Sequence, residues 1–117
     1  MALVFLGLGS NKGNRLAYLL GGLENIKRDI GAIQTQSSVY QTAAWGFFSE
    51  TDFYNMVVSV VTELSPEDLL RTCELIEKKA GREKHTFRKE YQNRTLDLDI
   101  LFYDSMQVAS HNLVIPH

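Results

Sequence analysis

Cysteine is almost absent from this chain of 117 residues, in which Cys73 stands alone. A single cysteine cannot form an internal disulfide or a thiolate zinc site, and its place in an apolar helical stripe favours a core residue. The three histidines have no partner four residues away, so the common helical pair of zinc ligands is missing as well. So little cysteine suits a reducing compartment, and we expect a cytoplasmic protein.

Long apolar segments are missing too. The run from Ala2 to Leu8 has no basic residue before it and is too short for a membrane span or a convincing signal peptide. The net charge of -2 at pH 7 gives no general reason to expect a polyanionic partner. We therefore expect neither a membrane nor a nucleic-acid partner, and the sequence leaves the oligomeric state open.

The familiar phosphate-binding loops are also absent. The stretch G-L-G-S-N-K-G at 7–13 begins like a dinucleotide-binding fingerprint, but Lys12 stands where that fingerprint needs glycine. The P-loop pattern G-x-x-x-x-G-K-[ST] does not occur. The sequence therefore does not predict a P-loop kinase.

Apolar periodicity predicts six regular elements in one domain. β-rich or alternating runs predict strands at 1–10, 32–40, 53–64 and 95–103. Helical spacing predicts a helix over 14–30, and Ser65 followed by Pro66 predicts a second helix that ends at Gly81. The predicted buried stripes are Leu16, Leu19, Leu20, Leu23, Ile26 and Ile30 in the first helix and Leu69, Cys73, Ile76 and Ala80 in the second. The β-α-β-β-α-β order predicts an α+β, ferredoxin-like fold, with a four-stranded antiparallel sheet and two helices on one face.

The segment R-T-L-D-L-D-I-L-F-Y at 94–103 contains two carboxylates two residues apart. In a strand, residues i and i+2 share a face, so Asp97 and Asp99 lie side by side opposite an apolar face. That face consists of Leu96, Leu98, Ile100 and Phe102. Right-handed crossovers put the first and third strands at the centre of the sheet and the fourth beside the first. The helices then cover the apolar face, and the aspartates face an open hollow.

Other polar groups are predicted at the same edge of the sheet. They include Gly9-Ser10-Asn11, the loop around Trp45, Asn55 and a basic stretch before the aspartates. Seven of the twelve lysines and arginines fall in or near that stretch: Lys78, Lys79, Arg82, Lys84, Arg88, Lys89 and Arg94. Mg²⁺ usually takes one or two carboxylates plus substrate phosphates, and arginine binds phosphate in a planar, bidentate way. Together these groups suggest phosphoryl transfer from a metal-bound nucleotide.

Simpler interpretations of the same residues stay open at this point. Alternating leucine and aspartate is typical of an ordinary half-exposed strand, in which Arg94 would only neutralise Asp97. The basic stretch would then be a solvated loop, Glu77 a surface carboxylate at the end of a helix, and the aromatic loop a lid over the core edge. The element order also suits an RNA-binding domain, but the aromatic signature expected on its central strands is absent.

Several motifs together resemble one known family. R-T-L-D-L-D-I, preceded by E…A-G-R, occurs with an N-terminal G-L-G-S-N, a central Y-x-T…G…F-Y-N and a late V-I-P-H. This combination resembles the 6-hydroxymethyl-7,8-dihydropterin pyrophosphokinases (HPPK) of folate biosynthesis over all 117 residues. The resemblance implies a diphosphokinase that transfers pyrophosphate from ATP, its co-substrate, to the pterin alcohol and releases AMP. It also implies two Mg²⁺ ions and only small-molecule substrates.

The resemblance assigns roles to individual residues. Asp97 and Asp99 would hold the two Mg²⁺ ions, and Arg82 and Arg94 would be the catalytic arginines. The implied pterin-binding residues are Thr42, Ala43, Trp45, Phe53, Asn55 and Tyr91. The implied ATP-binding residues are Glu77, Lys84, Arg94, Ile100 and His117.

The chain also departs from the family pattern. Gln92-Asn93 replaces a small residue followed by a proline- or serine-like one, which leaves open how Lys84 and its basic neighbours match the family's mobile loop. Family members usually continue past the position of His117 with an arginine and a stacking phenylalanine. We therefore expect a single HPPK-like domain over 1–117 that lacks the family's C-terminal segment. The alternative is a catalytically impaired pterin- or nucleotide-binding module.

Overall fold

The computed structural model describes residues 1–43, 52–81, 95–105, 108–109 and 114–115. Its regular elements, in chain order, are β1 Ala2–Ser10, α1 Arg15–Asp29, β2 Gly31–Gln36, β3 Tyr40–Thr42, β4 Phe53–Thr62, α2 Pro66–Lys79, β5 Asp97–Tyr103, β6 Val108–Ala109 and β7 Val114–Ile115. In these ranges, neither helix is long and apolar enough to cross a membrane. The six predicted elements are all present, and each predicted helix is within a residue or two of its observed bounds.

The main sheet is antiparallel and has five strands within the described residues. β2, β4, β1 and β5 lie in that order, and β3 also pairs with β4. The predicted α+β class, central pair of strands and two helices are confirmed. The predicted count of four strands is not confirmed, because the single strand predicted at 32–40 is divided into β2 and β3. β6 and β7 form a separate two-stranded pair that the sequence pattern did not predict.

Ser37 explains the division between β2 and β3. Its backbone amide donates to the carbonyl oxygen of Val57 at 2.8 Å, while its side-chain hydroxyl accepts from the Val57 amide at 2.9 Å. A side chain thus takes the place of a backbone acceptor, and the ladder to β4 is interrupted at this point. Serine competes for backbone groups in this way more readily than apolar residues do.

One hydrophobic core lies between the sheet and both helices. It contains the inward side chains of α1 and α2 together with alternate residues of the strands, including Leu6, Leu8, Val58 and Leu98. A Cβ on Gly22 would lie 3.2 Å from side-chain carbons of Leu8 and Leu96, so this glycine lets α1 lie close to the sheet. Both helices therefore cover the same face, as predicted.

The predicted stripe of α1 is correct at its centre and wrong at two positions. Leu19, Leu23, Ile26 and Ile30 are buried, whereas Leu16 and Leu20 are 48% and 54% exposed. Leu20 is about 100° around the helix from Leu19, which turns it away from the sheet. Leu16 lies in the first turn, before the buried part of the helix. Asn14 begins the helix, since its Oδ1 accepts from the amide of Ala17 at 3.1 Å.

The start and the buried face of α2 agree with the sequence pattern. Ser65 is the N-cap, and its hydroxyl accepts from the Asp68 amide at 3.2 Å, with Pro66 in the first position. Leu69, Cys73 and Ile76 are buried as predicted. Glu77 is also buried, which contradicts its interpretation as a surface carboxylate.

A β-bulge in β5 changes which face its last residues occupy. Phe5 pairs with Phe102 and Leu6 with Ile100, so Leu101 is an extra residue. Phe102 therefore lies on the open face and is 49% exposed. Its ring packs edge-on against the ring of Phe5, with the two centroids 6.2 Å apart. The prediction that Phe102 shares the covered face is wrong. Tyr103 takes that place instead, and its hydroxyl donates to the carbonyl oxygen of Leu64.

Candidate active site

A cleft of about 370 Å³ opens on the sheet face that the helices leave uncovered. β1 and β5 form its floor, and β3 with the start of β4 forms a wall. The residues that line it are Gly7, Leu8, Gly9, Tyr40, Thr42, Ala43, Phe53, Asn55, Met56, Val57, Asp97, Asp99 and Leu101. Six of the residues singled out from the sequence therefore meet in one cavity: Thr42, Ala43, Phe53, Asn55, Asp97 and Asp99.

The acidic pair lies on the floor of this cleft. Asp97 and Asp99 are half-buried and stand opposite Gly9 and Gly7 of β1, respectively. Because those partners have no side chains, the carboxylates lie over a floor of backbone. The alternation of β5 thus puts both acids on the open face, as the sequence predicted.

Asn55 connects the floor of the cleft to its wall. Its Nδ2 donates to the hydroxyl of Thr42 at 2.8 Å, which ties β4 to the end of β3. Its Oδ1 faces Gly9, where an added Cβ would lie only 3.1 Å away. The amide is therefore oriented by Thr42, and a side chain at position 9 would push its oxygen by a few tenths of an ångström.

Glu77 lies behind the acidic strand and not in the cleft. Its side chain is 6% exposed, and its Oε2 accepts from the backbone amide of Leu98 at 2.8 Å. Leu98 is the residue between the two cleft aspartates. Sequence reasoning connected Glu77 with the nucleotide only through resemblance and missed this contact, since nothing in the local pattern indicates a buried glutamate.

Cys73, one turn before Glu77, is a core thiol. It is 1% exposed and free. Burial, followed by the negative charges of Glu77 and Asp99, raises the pKa of the Cys73 thiol well above its usual range. A thiol held neutral in this way is a poor nucleophile, so its interpretation as a core residue is confirmed.

Ile100 does not reach the cleft with its side chain. It is 3% exposed and belongs to the core on the helix-covered face, opposite the aspartates. Its backbone, in contrast, lies on β5, which is the last strand of the main sheet. Any contact of Ile100 with a ligand would therefore involve backbone groups.

The remaining predicted site residues lie outside the described part of the chain. They are Trp45, Arg82, Lys84, Tyr91, Arg94 and His117. Conversely, sequence reasoning assigned no site role to Gly7, Leu8, Tyr40, Met56, Val57 and Leu101, which also line the cleft. Gly7 could have been found from its i, i+2 spacing to Gly9, but the positions of Tyr40 and Leu101 depend on the pairing of β3 and on the bulge.

The start of α1 is fastened to β4 close to the cleft. Arg15 places its guanidinium 3.8 Å from the ring centroid of Tyr54 and donates from Nη1 to the carbonyl oxygen of Asp52 at 2.9 Å. A cation over an aromatic face and a charge-assisted hydrogen bond both stabilise this junction. No sequence motif indicated it.

The carboxylate pair suits a hard divalent cation. Within the described ranges, no group of three or more histidine, cysteine, aspartate or glutamate side chains converges on a metal position. Asp97 and Asp99 would thus supply two oxygen ligands and leave the other positions to water or to a ligand's phosphates. Mg²⁺ is commonly held in this way, so the residues fit it. The fold and the cleft together define an α+β protein with an acidic cleft on an open sheet face.

Comparisons with known proteins agree with this class. Residues 5–117 match the sequence model of the family described as 7,8-dihydro-6-hydroxymethylpterin-pyrophosphokinase (HPPK). The chain is 39% identical to 2-amino-4-hydroxy-6-hydroxymethyldihydropteridine pyrophosphokinase of Porphyromonas gingivalis, over 100% of this chain and 80% of that protein. It is 38% identical to the protein of that name from Aquifex aeolicus, over 100% of this chain and 71% of that protein.

The fold is shared with a solved structure. A chain described as "Crystal Structure Analysis of the HPPK-DHPS in complex with substrates" superposes with a TM-score of 0.71 at 16% identity, over 92% of this chain and 28% of that chain. The chain belongs to the HPPK family. It is an enzyme of the pyrophosphokinase type that acts in folate synthesis.

Proposed function

We propose that this chain transfers the pyrophosphoryl group of ATP to the hydroxymethyl oxygen of 6-hydroxymethyl-7,8-dihydropterin. The pterin oxygen would attack the β-phosphorus, the bond from that phosphorus to the α,β-bridging oxygen would break, AMP would leave and the hydroxyl proton would pass to solvent. The observation that supports this most directly is the pair of aspartates on the floor of an open cleft in a member of the HPPK family.

The acidic pair is proposed to hold two Mg²⁺ ions. Asp97 and Asp99 project from β5, and the pairing of β5 with β1 keeps both on a rigid support. Bound Mg²⁺ would neutralise the triphosphate and orient it for in-line displacement. Catalysis would then consist mainly of positioning and charge compensation, with no covalent intermediate on the protein.

The wall of the cleft is proposed to bind the pterin. Asn55, oriented by Thr42, would read the donor and acceptor edge of the heterocycle. Phe53 would contact the flat face of the ring, and the backbone at Ala43 would add polar contacts. Trp45 and Tyr91, outside the described residues, are proposed to complete this pocket.

The nucleotide is proposed to lie over the other side of the acidic pair. Arg82 and Arg94 would act as the catalytic arginines because guanidinium forks match phosphate oxygens and remain charged. Lys84, Arg94 and His117 would add contacts to ATP, with Ile100 contributing through its backbone. The proposed partners are these two small molecules, and a cytoplasmic location stays a prediction.

Product identity tests the proposed function. The chain would be incubated with ATP, Mg²⁺ and 6-hydroxymethyl-7,8-dihydropterin and followed by ³¹P NMR. We expect AMP and a diphosphate ester of the pterin, both dependent on the pterin. Formation of ADP, or no consumption of ATP, would reject the proposal.

A further inference from the structure

Glu77 is a buried carboxylate on the last turns of α2. A charged side chain is rarely buried in a protein unless a specific hydrogen bond or partner compensates the loss of water. Glu74, one turn earlier on the same helix, is exposed to solvent, so burial is particular to position 77. One compensating contact of Glu77 indicates a role for the buried carboxylate.

That contact is made to the outer edge of the acidic strand. Glu77 Oε2 accepts from the Leu98 amide at 2.8 Å. Among the described residues β5 pairs only with β1, and in antiparallel pairing every second residue turns its backbone groups away from the partner strand. The Leu98 amide is such an outward donor, and the carboxylate gives it a charge-assisted acceptor that no neighbouring strand of the main sheet supplies.

The hydrogen-bonded amide lies at the centre of the acidic pair. Leu98 is bonded directly to Asp97 and Asp99, and its own side chain points into the core. Holding its amide plane therefore restricts the backbone from which both carboxylates project. Glu77 approaches from the helix side and is not among the residues that line the cleft. Groups that orient metal ligands from behind commonly change metal affinity by tenfold or more.

We propose that Glu77 is a positioning residue whose carboxylate, by holding the Leu98 amide, sets the orientation of Asp97 and Asp99 toward a divalent cation. The proposal rests on the proposed function only in taking these aspartates as the cation ligands. It differs from the role that the family resemblance implies for Glu77, which is binding of ATP.

Two substitutions of equal size separate the hydrogen bond from the charge. Glu77→Gln and Glu77→Met both remove the negative charge and fill the same space, but only glutamine keeps an acceptor oxygen. Glu74→Gln and Glu74→Met make the same changes on the exposed side of α2. Unfolding curves of all four variants establish that they fold.

The first readout is the Leu98 amide itself. In ¹⁵N-labelled protein without metal, we expect Glu77→Met to move the Leu98 amide proton upfield and to speed its hydrogen exchange about tenfold, as loss of a hydrogen bond to a charged group implies. Glu77→Gln should give intermediate values, and the two Glu74 variants should match the unmodified chain. An unchanged Leu98 amide in Glu77→Met would overturn the proposal.

The second readout is binding of Mn²⁺ alone, followed by electron paramagnetic resonance. We expect Glu77→Met to weaken Mn²⁺ binding about tenfold and Glu77→Gln to weaken it clearly less. Equal Mn²⁺ affinities of the two variants would show that the weaker binding comes from the lost charge alone, which would overturn the proposal. Weaker binding of ATP in the absence of metal, with unchanged Mn²⁺ affinity, would instead make Glu77 a nucleotide contact. Failure of the unmodified chain to form AMP would reject the proposed function and leave both readouts interpretable.

Discussion

At the scale of single residues, several glycines lie where a side chain would come close to neighbouring atoms. Gly9 leaves room for the Asn55 amide, and Gly22 lets α1 approach β1. No residue with a side chain fits at position 31, since a Cβ on Gly31 would lie 1.9 Å from the carbonyl oxygen of Val61. Gly21, in contrast, has no atom within 4 Å of where a Cβ would be. Neighbouring glycines in one sequence therefore differ in their importance.

Gly9→Ala should weaken binding of the pterin more than it affects folding. The new methyl group would lie 3.1 Å from Asn55 Oδ1 and displace the amide that is proposed to read the heterocycle. We expect KM for the pterin to rise about tenfold, as loss of one well-placed hydrogen bond implies. Gly21→Ala is the control and should stabilise the protein by about 0.5–1 kcal/mol, with unchanged KM. A normal KM in Gly9→Ala would contradict the assignment of Asn55.

Cys73 gives the protein a pH dependence above neutrality. Burial raises the pKa of its thiol above the value of about 8.5 expected in the unfolded chain, so only the unfolded state loses this proton as the pH rises. The thiol's contribution is fully present below about pH 8.5, and the free energy of unfolding should then fall by about 1.4 kcal/mol per pH unit. Urea unfolding between pH 8 and 10 measures it. Cys73→Ala should lack this component, and an identical slope in both proteins would contradict the assignment.

At the scale of elements, side chains that bond to the backbone decide where helices and strands end. Ser65 begins α2, Asn14 begins α1 and Ser37 divides β2 from β3. The two helix caps follow known preferences and were predictable from local sequence to within a residue. The division at Ser37 was not, because it depends on a hydroxyl meeting the Val57 amide across the sheet. Local patterns predict an element's type better than its interruptions.

Ser65→Ala should destabilise the protein through α2. The hydroxyl satisfies the Asp68 amide, and loss of such a cap costs about 1 kcal/mol. Chemical denaturation would measure the loss. Ser38→Ala, at an exposed position between strands, is the control and should change the free energy of unfolding by less than about 0.5 kcal/mol. Equal effects of the two substitutions would show that the cap does not stabilise α2.

At the scale of the whole molecule, the topology and the open acidic face were predictable from the chain. Periods of two and 3.6 residues determined the element order, and the alternation around Asp97 determined which side chains face the cleft. Phe102 was placed wrongly because a bulge at Leu101 depends on pairing with β1. The burial of Glu77 was missed because a glutamate at the end of a helix has no local sign of burial. Sequence patterns thus find side chains that face a cleft more easily than buried groups that contact the strand from behind.

Contacts on both edges of β5 accompany the acidic face of the sheet. Two carboxylates on neighbouring positions repel each other, and in the described part of the chain β5 has a paired strand on one side only. Pairing with β1 on that side and the Glu77 contact on the other hold the strand in place. The core beneath does not involve the carboxylates, so removing either charge should leave the fold intact.

Asp97 and Asp99 are proposed to hold the metal for pyrophosphoryl transfer, and the rate of AMP formation in Asp97→Asn and Asp99→Asn tests this role. These changes keep the size of each side chain, and Glu74→Gln removes a carboxylate from an exposed position as the control. We predict that each aspartate variant forms AMP at least about a hundredfold more slowly at saturating Mg²⁺, with an unfolding free energy within about 1 kcal/mol of the unmodified chain. Formation of AMP by either variant at the rate of the control would show that its aspartate does not hold the metal for the reaction.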